Sequence, residues 1–162
     1  MADTRIINIE DLQLTDHGNG DAFVARIARA GPIIGSTGLG CTLTVLPPGK
    51  RAYPFHRHHV IDELFFILSG AGEYRMDDAR LPLRAGDLIA APAGKEPHQI
   101  VNISTAELCF LAVSTIGETD IVEYPDTGKV AMAAGIKNAD FKTATYKSLG
   151  RVKPADYFEG EK

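Results

Sequence analysis

Short runs of alternating apolar and polar residues fill the middle of the chain, and glycine or proline closes each of them. Cys41 to Leu46 alternates with threonine and stops at Pro47-Pro48-Gly49. Glu63 to Leu68 ends at Ser69-Gly70, Glu73 to Met76 ends at Asp77-Asp78, and Leu81 to Arg84 carries Pro82, which suits an edge strand. Leu88 to Ala91, Gln99 to Ile103 and the strongly apolar Glu107 to Ser114 complete the series. Strands this short and closely spaced predict an all-β sandwich or barrel.

The flanks read differently. Residues 1–39 form an N-terminal arm in which Asp16 to Asp21 is a turn, with His17 exposed in it rather than acting as a ligand. Ala22 to Ala30 fits a short helix or an edge strand equally well, and Gly31-Pro32 and Gly35 to Gly40 read as loop. Residues 40–124 form the barrel, with Asp120 to Tyr124 as a further strand. Residues 125–162 read as a C-terminal extension packed on the barrel, with a helical turn at Met132 to Gly135.

Within the strand Glu63 to Leu68, residues two apart share a face, so Leu64, Phe66 and Leu68 point away from Glu63, Phe65 and Ile67. A strand apolar on both faces is covered on both faces. A second copy of the chain, with help from the arms, is the expected cover, which predicts a homodimer.

The 162 residues suffice for one domain with extensions, and 44% hydrophobic residues can fill a core. A net charge of −4, with no basic run, argues against nucleic acid as a partner. No apolar stretch approaches a membrane span, and the first residues lack the apolar centre of a signal peptide. A cytoplasmic protein is the expectation. Cys41 and Cys109 read as buried, reduced thiols.

Four side chains carry the candidate chemistry. His56 and His58 are two apart, so both imidazoles face one way from a strand, while His59 faces the other. Glu63 has the wrong parity for a continuous strand, which requires a turn between His58 and Glu63. His98 follows the stiff loop Pro92 to Pro97 and opens a strand. Three imidazoles and one carboxylate suit a divalent transition metal, with iron, manganese, nickel, copper and zinc all open. An open coordination position fits catalysis, whereas a closed four-ligand zinc would be structural. Tyr53, Phe55, Phe65, Ile67 and Gln99 are candidates to line a pocket, with plain core packing an equal reading for the aromatics. Glu73, His59 and Tyr53 are the possible proton carriers, and none is singled out. Asn102 reads as structural, and Glu73 and Asp87 as solvated.

Gly49, His56, His58, Glu63 and Gly70 together resemble the first motif of the cupin superfamily. Gly86, Pro92, Gly94, His98 and Asn102 resemble the second, with the short spacer Ala71 to Ala85 between them. Each motif carries one extra loop residue, before His56 and before His98, and every ligand position is intact. The tail resembles those of small, uncharacterised single-domain bacterial cupins. The resemblance implies a jelly-roll β-barrel, commonly dimeric, whose metal is held by His56, His58, Glu63 and His98. Three functions stay open: a metal-dependent oxygenase, lyase or isomerase acting on a small oxygen-rich or aromatic acid; a small-ligand binding or sensing module; and a metal-stabilised structural barrel.

Overall fold

A computed structural model describes residues 5–137 and 140–161. Thirteen strands are found among them, in chain order β1 (Thr15–Asn19), β2 (Phe23–Arg29), β3 (Leu39–Leu46), β4 (Arg57–His58), β5 (Glu63–Ser69), β6 (Ala71–Met76), β7 (Ala79–Arg84), β8 (Leu88–Ala91), β9 (His98–Val101), β10 (Leu108–Thr115), β11 (Thr119–Tyr124), β12 (Lys129–Ala134) and β13 (Tyr146–Gly150). They form a six-stranded sheet, β1-β2-β3-β10-β5-β8, a four-stranded sheet, β13-β12-β11-β4, and a three-stranded sheet, β7-β6-β9. Together the sheets make a jelly-roll barrel.

Alternation explains the core. Thr44 and Leu46 of β3, Phe65 and Ile67 of β5, and Leu108 and Phe110 of β10 are buried on the inner face. Ala25 and Ile27 of β2 join that same cluster with Tyr74, Leu83 and Ile100 from the opposite sheet. The outer face divides in two. Leu43, Cys41, Cys109 and Leu111 lie under Ile7, Leu12 and Leu14 of the N-terminal arm. Leu64, Phe66 and Leu88, on the β5–β8 side, remain exposed.

Several local expectations change. The stretch Ala22 to Ala30 is settled as a strand over Phe23–Arg29, because a strand there places Ala25 and Ile27 in the core and pairs with β3. Gly31-Pro32 lies in a one-turn helix, Ala30–Ile33, rather than a loop. Met132 to Gly135 is not a helical turn. Lys129–Ala134 pairs on one side with β11 and on the other with β13, and this long-range pairing overrides the local helical preference of Met and Ala. Pro82 does sit in an edge strand, β7, where a proline is tolerated. Gly70 has φ of 85°, and a Cβ there would meet the Glu107 carbonyl oxygen at 2.3 Å, so the β5–β6 corner requires glycine.

Candidate metal centre

His56 and His98 face each other as a reciprocal backbone pair. The His56 N–H donates to the His98 carbonyl at 3.1 Å, and the His98 N–H donates to the His56 carbonyl at 2.7 Å. That pairing fixes their ring centroids 4.7 Å apart although the residues are distant in sequence. His58 enters from β4, which pairs with β11 through Val122. The chain then turns: the His59 N–H donates to the Ile121 carbonyl, and the Asp62 N–H to Thr115 Oγ1. This turn resolves the parity conflict and lets Glu63 open β5 facing inward.

Glu63 is the hub. Its Oε2 lies 3.1 Å from His98 Nε2, 3.5 Å from His58 Nε2 and 3.9 Å from His56 Nε2. His56, Glu63 and His98 offer ligand atoms that all lie within 4.8 Å of one another, so these three could hold a metal ion. His58 falls outside that mutual set and approaches through Glu63. Donors about 2.1 Å from a common ion, at octahedral or tetrahedral angles, lie roughly 3.0–3.4 Å apart; the His98–Glu63 separation of 3.1 Å falls in that range, while His58 at 3.5 Å lies just beyond it and His56 at 3.9 Å further out.

The far nitrogens are held as well. His56 Nδ1 lies 2.8 Å from the Pro54 carbonyl oxygen, which can only accept, so Nδ1 carries the proton and Nε2 keeps its lone pair. His58 Nδ1 is hydrogen-bonded to Asp120 Oδ2, and the Asp120 side chain is fully buried. Both tautomers thus leave the nitrogen nearest Glu63 free to ligate. Burial, then the neighbouring His98, pushes the His56 pKa down to about 4, which keeps that ring neutral. Burial pulls His58 the same way, but the Asp120 hydrogen bond and the Glu63 charge outweigh it and raise its pKa. Burial acts against ionised Glu63, yet the His98 hydrogen bond and the surrounding imidazoles hold its pKa below the usual value.

Aromatic rings wall the centre. Phe65 lies 5.5 Å from the His98 ring, and Tyr74 stacks on His98 at 5.9 Å. Tyr124 and Tyr53 lie 6.2 and 6.4 Å from the His56 ring. Burial raises the pKa of Tyr53. Gln99 donates to the Tyr53 carbonyl at 2.7 Å and is itself buried. Phe55 and Ile67 are buried; the Arg75 guanidinium lies 3.5 Å over the Phe55 ring, and Ile67 sits in the core cluster.

Other candidates go elsewhere. Glu73 pairs with Arg80, and His59 lies 3.4 Å from Glu123. Asp87 accepts from the Arg84 N–H. Asn102 is wholly buried, donates to the carbonyls of Leu46 and Ala106 and accepts from Ser104, a structural pin. His17 is a correction: it lies in β1 rather than a turn, is half-buried, and its ring is 5.0 Å from Tyr53. The reason is the β1–β2 pairing, which sets His17 opposite core Ala25. Asp120, which is hydrogen-bonded to His58 Nδ1, is the residue at the candidate centre that sequence reasoning missed. Its only local signal was a charged residue at the head of a strand.

Residues 42–114 match the family described as Cupin domain, and this match together with the fold supports a small protein of the cupin superfamily. Among curated proteins, it is 37% identical over 68 residues to the oxalate-binding protein of Thermotoga maritima, covering 42% of this chain and 54% of that one. It is 33% identical over 70 residues to an uncharacterized protein of Methanocaldococcus jannaschii, covering 43% and 54%. The matches span about half the length of these relatives. A solved chain from Acidithiobacillus ferrooxidans, described as a candidate sugar phosphate isomerase, superposes with a TM-score of 0.78 over 94% of this chain and 97% of that one. At 22% identity that likeness carries the fold alone.

Proposed function

We propose that this protein is a metal-dependent enzyme of the lyase or isomerase type acting on a small oxygen-rich acid, with one divalent transition metal held by His56, His58, Glu63 and His98. The observation that carries the reading is the convergence of three imidazole Nε2 atoms on Glu63 Oε2 while Asp120 and the Pro54 carbonyl fix the far nitrogens of two imidazoles. The donor set fits the metal: neutral imidazoles and one carboxylate leave a divalent ion with one net positive charge. A bound ion of this kind supplies Lewis acidity toward a substrate oxygen.

The chain's own groups do the rest. His56, His58, Glu63 and His98 bind and orient. Phe65 and Tyr74 exclude water from the His98 side. Tyr53, whose phenol is protonated near neutrality, donates a hydrogen bond to a substrate oxygen rather than serving as a base. Glu73 and His59 are held by Arg80 and Glu123 and take no part.

A second reading, a barrel that binds a small acid without turning it over, draws support from the relative named as an oxalate-binding protein. One experiment separates the two. Purified protein is analysed for metal, melted with and without chelator, and incubated with small hydroxy and keto acids followed by NMR. The catalytic reading expects about one metal per chain, a melting point lowered by chelation, and product formation. Binding without product supports the second reading. A metal-loaded protein whose melting curve ignores chelator sinks both.

The assembly follows from the outer face. Leu64, Phe66 and Leu88 stand exposed beside the arm-covered cluster, and we read them as the seam of a homodimer. Sedimentation showing a monomer at micromolar concentration would refute that. Among the described residues no helix is long and apolar enough to cross a membrane. Two free cysteines support a cytoplasmic setting, and fractionation of the source cells tests it.

A further inference from the structure

We propose that Arg29, Thr42, His17 and Tyr53 form an anion-recognition subsite at the barrel mouth, holding a remote carboxylate or phosphate of a substrate whose other end meets the metal centre. This rests on the reading above and names the class of substrate more closely: a short acid charged at both ends.

The cross-strand register carries the geometry. Ala25 and Ile27 of β2 face the core, so Arg29, two residues further on, is presented to the same side. Arg29 pairs with Thr42, Thr42 with Ala112, and Ala112 with Phe65, whose ring contacts His98. One row of inner-face positions therefore runs from Arg29 to the wall of the metal centre, and its intermediate side chains, Thr42 and Ala112, are small. β2 and β5 are three strand spacings apart, about 14 Å along the sheet, a distance shortened by the barrel's curl. His17, opposite Ala25, faces the same interior side, and its ring meets Tyr53, whose ring lies 6.4 Å from His56. The four residues thus border one mouth from two directions.

The chemistry of the row is that of an oxyanion site. Arg26, Arg57, Arg75 and Arg80 each pair with a carboxylate. Among the described residues no carboxylate pairs with Arg29, and the side chain is exposed, so its planar fork of donors is accessible to a ligand. One layer deeper on the same inner face, the Thr44 hydroxyl is buried and has no hydrogen-bond partner.

The test uses full-length, metal-loaded protein and three probes that share a 2-hydroxy acid head: lactate, 2-hydroxyglutarate and 3-phosphoglycerate. Calorimetry is expected to show at least one remote-anion acid binding about tenfold or more tightly than lactate. The better of the two tells carboxylate from phosphate. Arg29→Gln is expected to erase that advantage, Arg29→Lys to keep part of it, and Thr42→Val to reduce it severalfold. The advantage should also shrink as salt rises. Arg29 is exposed, and melting curves on each variant check that the fold is kept. Three equal affinities in the wild type, or an advantage that survives Arg29→Gln, overturns the subsite. If all three bind equally and chelation abolishes binding, the metal reading stands and the subsite falls. If the Arg29-dependent advantage persists after chelation, the subsite stands and the metal reading falls. If nothing binds, both fall.

Discussion

Glu63 and Asp120 are both carboxylates that touch His58, yet they belong to different parts of the molecule. Glu63 opens β5 in the six-stranded sheet and belongs to the first of the two histidine-bearing motifs within residues 42–114. Asp120 stands on β11 in the four-stranded sheet, beyond that segment. Glu63 gathers the candidate ligand atoms, while Asp120 orients one of them from behind. The difference teaches that a site's donors and their positioning groups need not share a motif. An orienting residue has only to arrive in space, through the β4–β11 pairing.

That comparison can be broken from either side. His98→Ala removes a buried side chain that lies 3.1 Å from Glu63, and it is expected to have the largest effect. Loss of a positioning partner typically costs 10–100-fold in metal affinity, so loss of a ligand should cost on the order of 100-fold or more. Metal content after dialysis reads this directly, and a variant that retains one metal per chain removes His98 from the centre. Asp120→Asn comes next. It keeps the shape but weakens the grip on His58 Nδ1, with an expected loss of about 10–100-fold in affinity. Competition against a chelator of known strength measures it. Unchanged affinity, with an unchanged melting point, would reduce Asp120 to a structural residue.

The smallest effect sharpens the contrast between a buried orienting carboxylate and a surface one. Asp126 accepts two hydrogen bonds from Arg75, at 2.6 and 2.7 Å, but is half exposed. The Arg75 hydrogen bond holds its carboxyl below the usual value. A depressed folded-state pKa gives stability that is present above the unfolded carboxylate range and lost as pH falls through the folded value. Asp126→Asn should therefore cost less than about 1 kcal/mol near neutrality. The gap between wild type and variant should close in acid, below the ordinary carboxylate range. Thermal melts at the two pH values test this, and a gap that widens in acid contradicts it.

The readable parts of the chain are those governed by near neighbours. The alternation in Cys41 to Leu46 and Glu63 to Leu68 foretold strands, and Pro82 foretold an edge. The spacing of His56, His58, Glu63 and His98 told which residues to watch. Residues without a local signature were misread or passed over. His17 sits beside Gly18 and looked like turn, and Met132 to Gly135 looked helical. Both lie in strands because a partner strand fixes them.

The amino-acid order by itself set the strand series, the inward faces and the four candidate donors, because period-two alternation and short motifs act over a few residues. Only the folded chain decided that Glu63 is the meeting point, that Asp120 and the Pro54 carbonyl orient two imidazoles, and that His17 lies opposite core Ala25. Those relations depend on the register between strands distant in sequence, and no local pattern records which strand a given strand will pair with.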